Sequence, residues 1–283
     1  MDIRDAGKAD AQTCGRILYD AFTKLAEQHN FPRDFPSPDV ATGIASMLIG
    51  APGFYGVVAE EAGKIVGSNF MDERSLVFGI GPISVDPEAQ NHAIGRRLMR
   101  AALDRAAAQG AVGVRLVQAG YHNRSLCLYT KLGFVTREPL SLLQGPKLKA
   151  KFAGHDVRPA EERDVERCNM LCREVHGFDR DRDLRDAIRA RSASVVEHLE
   201  EITGYATAIG FFSHAVARTN LDLKALIGAA TEFSGPGFLL PTRNHDVFEW
   251  CLNSGLKLVF QMTLMSIGLY NEPSGAYLTS ILY

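Results

Sequence analysis

Between Val85 and Leu98 the chain reads Val-Asp-Pro-Glu-Ala-Gln-Asn-His-Ala-Ile-Gly-Arg-Arg-Leu. A β-branched run (Ile83, Val85) halts at Pro87, small and polar residues follow, and an alanine-rich helix is predicted over 95–109. A strand that enters a helix through such a turn leaves backbone N–H groups unpaired at the positive end of the helix dipole. Phosphates bind there without needing many side chains. Arg96 and Arg97 add positive charge beside the turn. The chemistry indicated is the holding of a phosphorylated ligand. A Walker loop is excluded, because no Gly-Lys-Ser/Thr ends this turn. The dinucleotide fingerprint is excluded as well, because its three glycines are missing.

A second informative segment runs from Tyr121 to Phe134, Tyr-His-Asn-Arg-Ser-Leu-Cys-Leu-Tyr-Thr-Lys-Leu-Gly-Phe. Asn123 is placed to cap a helix, Leu126, Leu128, Tyr129 and Leu132 make it largely apolar, and Gly133 is placed to end it. Together the two segments resemble the GNAT superfamily of N-acetyltransferases. Its pyrophosphate loop, Gln/Arg-x-x-Gly-x-Gly/Ala, is matched by Gln90, Ala93 and Gly95, with Ala93 standing where glycine is usual. Its later helix carries an Asn, a Tyr six residues on and a closing Leu-Gly-Phe, matched by Asn123, Tyr129 and Leu132 to Phe134.

The resemblance implies acetyl-CoA as cofactor. It places the cofactor on the strand residues Ile83, Ser84 and Val85, and on the loop residues Gln90, Asn91, His92, Ala93, Ile94, Gly95, Arg96 and Arg97. Asn123, Leu126 and Tyr129 complete the set. By the same carry-over Asn123 contacts the pantetheine arm or the sulfur, Tyr129 protonates the departing thiolate, and a backbone N–H at Ser84 or Val85 stabilises the oxyanion. Candidates for the base that frees the amine are Asp72, Glu73 and His122; a solvated acidic strand end and a helix-capping histidine are the alternative readings. Cys127 reads as a packed core residue rather than a nucleophile. The loop 31–38 is expected to help build the acceptor pocket.

The elements that must position these residues read as a mixed α+β fold. Helices are predicted near 9–29 and 39–50, a hairpin over 55–60 and 64–71, the signature strand over 79–85, and strands near 112–118, 135–137 and 140–143. The resemblance further implies that the signature strand and its successor diverge, with the cofactor in the gap.

The order of elements also repeats. Asp2, Ile3, Arg4, Asp10 and Cys14 return, shifted by 154, as Asp156, Val157, Arg158, Asp164 and Cys168. Asn244 to Gly255 echoes Asn123 to Gly133 with one extra residue, which sets Trp250 where the tyrosine acid would be. The second copy has a strand predicted over 211–217 and a helix through 224–232, but Asp222 and no glycine at the turn between them. The expected organisation is therefore a catalytic domain over 1–148 and a degenerate GNAT-like domain over 149–283, serving the acceptor pocket or a homodimer surface.

Composition narrows the function classes. The 283 residues are 46% hydrophobic and 23% charged, with a formal net charge of −2, so no general attraction to nucleic acid is implied. The five cysteines are scattered: Cys168 and Cys172 have no matching second pair for zinc, and isolated thiols suit a reducing, cytoplasmic setting. The alternating run 179–185 reads as a solvated helix start, and no stretch approaches a membrane span. The leading expectation is an acetyl-CoA-dependent N-acetyltransferase acting on a primary amine of a small molecule or protein. The competing one is a non-catalytic acyl-CoA-binding or regulatory protein.

Overall fold

The computed structural model describes residues 1–90 and 92–282; Asn91, expected among the loop residues on the cofactor, lies outside them. The chain divides into two compact units, one of residues 1–136 with 265–269 and Leu282, the other of residues 137–264 with 270–281.

In the first unit β1 (Asp2–Asp5) leads through a short turn into α1 (Ala11–Gln28), and α2 (Pro38–Gly50) follows a proline-rich loop. The Ser37 hydroxyl caps α2 by accepting from Val40 N–H, with Pro38 at the first helical position, where its missing donor costs nothing. β2 (Phe54–Glu61), β3 (Lys64–Asp72) and β4 (Val77–Val85) form an antiparallel meander, and β1 pairs with β2. α3 (Ile94–Ala108) returns the chain to β5 (Gly113–Ala119), which runs parallel to β4, and α4 (Asn123–Lys131) comes next. Residues 265–269 lie beside β5, where Leu269 N–H donates to Val112 O at 2.9 Å. Met71, Phe78, Met99, Leu116, Tyr129 and Phe134 share one buried cluster, which fixes α3 and α4 against the sheet.

The helix pair on the other side depends on one glycine. A Cβ on Gly15 of α1 would sit 2.3 Å from Cα of Thr42 in α2, a backbone clash that side-chain rotation cannot relieve. Gly15→Ala is therefore expected to cost about 3 kcal/mol by forcing the helices apart, read as a lower urea midpoint.

The divergence of β4 and β5 is visible in their ladder. Val77, Phe78 and Gly79 pair with Gly113, Val114 and Arg115, and the pairing stops there. Opposite that point β4 bulges: Met71 faces Ile80 whereas Asn69 faces Ile83, so β4 carries one extra residue and bends. Asp86 N–H bonds Val66 O on β3. Antiparallel alternation then turns the Ser84 amide toward β3 and the Ile83 and Val85 amides toward the edge that β5 has left.

The second unit contains β6 from residue 137 onward (β6 being Val135–Gln144), then β7 (Asp156–Pro159), α5 (Val165–His176), α6 (Asp181–Arg189), β8 (Ser194–His198) and β9 (Glu201–Ala206). β10 (Ala215–Ala217), α7 (Asn220–Ala229), β11 (Phe238–Pro241), α8 (His245–Asn253), the first part of β12 (Lys257–Gly268) and β13 (Ala276–Leu278) complete it. Its sheet order is β7-β8-β9-β10-β13, and β6 pairs antiparallel with β11.

The repeat is reproduced atom for atom at its start. Arg4 grips Asp10 at 2.7 Å and Glu60 at 2.9 Å, and Gly7 N–H donates to Asp10. Arg158 grips Asp164 and Glu197, both at 2.6 Å, and Glu161 N–H donates to Asp164. Each arginine fork holds its aspartate below the usual carboxylate range.

Several sequence expectations need revision. β6 is one strand rather than two, because Pro139 sits within it at a position where its carbonyl is used, accepting from Thr242 N–H. The strand expected over 211–217 is confined to Ala215–Ala217, and α7 starts at Asn220, four residues before Lys224. Cys251, not Trp250, takes the place of Tyr129: Phe134 N–H bonds Tyr129 O and, in the same geometry before Leu256, Leu256 N–H bonds Cys251 O. Gly133 and Gly255 end the two helices with φ of 97° and 92°. Among the described residues, no helix is long and apolar enough to cross a membrane, and no group of three or more His, Cys, Asp or Glu side chains could hold a metal ion.

Candidate functional site

The turn before α3 builds an anion cradle from backbone. Ala93 stands at the helix entrance in the left-handed region, φ 58° and ψ 14°, and among the described residues no side chain caps the helix. The first bond of the ladder is Arg97 N–H to Ala93 O, so the N–H groups of Ile94, Gly95 and Arg96 have no helical acceptor. A Cβ on Gly95 would point between Val85 at the end of β4 and Leu128 on α4, 3.9 and 3.6 Å from their methyl carbons. Glycine thus keeps the mouth of the β4–β5 gap open beside those amides. Ile94 anchors the turn by burying its side chain with Val57, Ala59 and Leu98.

The left-handed conformation explains why glycine would suit position 93. It costs an L-residue about 1–2 kcal/mol, while glycine's extra unfolded freedom costs about 0.5–1 kcal/mol. Ala93→Gly is therefore expected to raise stability by about 1 kcal/mol in a denaturant melt.

The side chains around the cradle divide their work. His92, Ala93 and Arg96 are exposed. Arg97 donates to Met1 O at 2.8 Å, and so braces the turn against the chain start. Gln90 Oε1 accepts from Arg124 at 3.1 Å, which brings a second guanidinium from α4 to the loop. Arg124 was not singled out in the sequence, since only tertiary folding brings it to Gln90.

The start of α4 differs from the sequence expectation. His122, not Asn123, is the N-cap residue, and Asn123 is the exposed first residue of the helix. His122 Nδ1 is hydrogen-bonded to Ser125 Oγ, and Ser125 in turn to the Tyr129 hydroxyl. The spacing from the cap through one turn to two sets the three side chains along one helix face. Burial, with the charges of Arg124 and His29, pushes His122 down to about 4, so the ring is neutral at pH 7. Burial pushes Tyr129 up to about 12, so its proton is held until an acceptor arrives. Leu126 and Leu128 pack half-buried beside Tyr129, whereas Cys127 faces solvent rather than the core.

The strand-end acids are engaged in pairs. Asp72 is 7% exposed and accepts from Arg74 at 2.6 Å, and Glu73 accepts from Arg105 at 2.9 Å. Arg105 also lies 4.7 Å over the Tyr55 ring. Each carboxylate is therefore held in an ion pair with an arginine.

The corresponding turn of the second unit is closed. Thr219 caps α7 by accepting from Asp222 N–H at 3.2 Å, and Asp222 accepts from Thr219 N–H at 3.1 Å. Thr203 Oγ1 donates to Asp222 as well, at 2.5 Å. A buried carboxylate thus occupies the end of the helix dipole that an anion would need.

Residues 52–136 match the model of the acetyltransferase (GNAT) domain. Among solved structures, the chain resembles a candidate acetyltransferase from Pyrococcus horikoshii at 19% identity and a TM-score of 0.74, over 97% of this chain and 93% of that one. It also resembles a tandem GNAT protein from the clavulanic acid biosynthesis pathway at 14% identity and a TM-score of 0.56, over 94% of this chain and 98% of that one. No curated protein matches the sequence. The residues that match the GNAT domain model lie in the first unit, and the chain has the fold of tandem GNAT proteins.

Proposed function

We propose that the first unit transfers the acetyl group of acetyl-CoA to a primary amine of a small molecule or protein by direct attack. The observation that carries this reading is the uncapped start of α3 opening on the unpaired edge of β4, with Tyr129 on the adjoining helix. The fit to coenzyme A rests on three amides without a helical acceptor among the described residues, a left-handed turn and a glycine whose side-chain space faces the gap. Ile94, Gly95 and Arg96 amides would hold the diphosphate, with Arg96 and Arg124 adding charge. The Ile83 and Val85 edge would take the pantetheine arm.

Acetyl-CoA supplies an activated thioester; the protein's part is to align an amine with it and manage protons. An amide on the open edge of β4, Val85 rather than Ser84, is turned to donate to the developing oxyanion. Tyr129 holds the proton for the leaving sulfur. With the proton of His122 on Nδ1, that ring donates to Ser125, Ser125 donates to Tyr129, and the tyrosine's own proton is left to point outward. The second unit, with its self-capped α7 and Cys251 at the tyrosine position, takes no part in holding the cofactor.

Release of free thiol from acetyl-CoA across a panel of primary amines tests the reading. Turnover with at least one amine is the expected result. Tight binding of CoA without turnover on any amine would move the protein to the regulatory class.

A further inference from the structure

In the reaction proposed above Tyr129 gives up a proton at every turnover, and its surroundings limit where a replacement can come from. Its side chain is 7% exposed and packs in one cluster with Met99, Leu116 and Phe134. A phenolate left there would be a desolvated charge, so the proton has to be restored through a neighbouring polar group. The burial pattern of α4 supplies that neighbour. Asn123, Arg124, Cys127 and Thr130 are exposed, whereas His122, Ser125, Leu126 and Tyr129 turn inward, at the spacing of one helix face. Ser125 Oγ is hydrogen-bonded to His122 Nδ1, and it stands one helical turn before Tyr129, whose hydroxyl it also bonds. Among the described residues nothing hydrogen-bonds the other ring nitrogen of His122, Nε2. The chain of groups therefore runs from an open ring nitrogen, through a hydroxyl, to the buried phenol.

We propose that His122 and Ser125 form a proton relay that reloads Tyr129, with the proton entering the imidazole at Nε2 and leaving it at Nδ1. This rests on the acetyltransferase reading and adds to it two residues that act through the tyrosine.

The proton transfers balance. Tyr129 gives its proton to the sulfur as the C–S bond breaks. Ser125 gives its hydroxyl proton to the tyrosine oxygen, His122 Nδ1 gives its proton to Ser125, and Nε2 takes one from solvent. The acceptor nitrogen loses two protons to solvent: one returns at Nε2, and the other is the net proton of the reaction. The ring ends the cycle as its Nε2–H tautomer, and exchange with solvent returns it to the Nδ1–H form. The groups that face His122 are Arg124 on its own helix and His29 at the end of α1, whose ring meets that of Tyr121 at 5.1 Å. Burial and these charges hold the imidazole at about 4, so at neutral pH it passes a proton on without keeping it.

The test compares wild type with Ser125→Ala, Ser125→Thr and His122→Ala, using acetyl-CoA and the fastest primary amine of the panel. Calorimetric titration with CoA shows that each variant keeps the fold and the cofactor site. Ser125→Ala should lower kcat about tenfold at unchanged CoA affinity, the worth of one hydrogen bond in the transition state. Ser125→Thr, which keeps the hydroxyl, should recover most of the rate. His122→Ala should fall by a similar factor, and added imidazole should restore part of its rate, which a merely structural histidine would not allow. Nitrogen-15 spectra of the histidine ring in the resting protein should show the proton on Nδ1. The proposal is overturned if that proton sits on Nε2, if Ser125→Ala keeps the wild-type kcat, or if imidazole leaves His122→Ala unchanged. Wild type that binds CoA and turns over no amine would defeat the acetyltransferase reading and the relay with it. An active wild type whose variants show no deficit defeats the relay alone.

Discussion

Gly95→Ala should leave the fold intact or slightly firmer while removing most of the affinity for coenzyme A. The added methyl meets nothing closer than 3.6 Å, so the unliganded protein accommodates it in ordinary contact. Alanine inside a helix is favoured over glycine by about 0.5–1 kcal/mol, so the melting temperature should hold or rise. The same methyl stands between Val85 and Leu128, in the space through which a diphosphate would reach the amides of Gly95 and Arg96. Each lost hydrogen bond to a charged group is worth about 1.5–3 kcal/mol, so losing one predicts affinity about 10- to 150-fold weaker. Calorimetric titration with CoA checks the binding arm, and a thermal melt checks the fold. Unchanged affinity would mean that the ligand does not approach this turn.

Tyr129→Phe should leave CoA binding unchanged and lower kcat by about 100-fold at neutral pH, the lower range for loss of a general acid. The effect has a sign with pH. A thiolate can leave without a proton above the ordinary thiol value of about 8.5, so the variant should approach wild type as pH rises through that range. Stability should fall by only about 1 kcal/mol, from the lost hydroxyl bond to Ser125. Rate profiles of both proteins from pH 6.5 to 9.5 decide the matter. A deficit independent of pH would assign Tyr129 to packing in the α3–α4 cluster alone.

The parts of the site that lie on consecutive residues were legible in the sequence. The turn into α3 declares itself through small residues after a β-branched run, and the tandem arrangement through the repeated Asp, Arg and Asp that became two identical ion-pair forks. What was not legible depends on folding that brings distant residues together. Asp72 and Glu73 read as available acids because their arginines, Arg74 and Arg105, could be identified as partners only from geometry. The Asn123 cap failed by one residue because His122 supplies a bond to Ser125 that no propensity scale records. In the second unit a sequence signal was present and misread: Thr219 followed by Asp222 is a capping box, and it fixes the start of α7.

The central claim is that main-chain amides at the start of α3 hold the diphosphate of coenzyme A. An amide-resolved nuclear magnetic resonance titration of the protein with CoA addresses those groups directly. The amide protons of Ile94, Gly95 and Arg96 should move downfield and saturate with the binding curve, while phosphate-free pantetheine leaves them in place. Resonances of these residues that stay fixed at millimolar CoA would contradict the account.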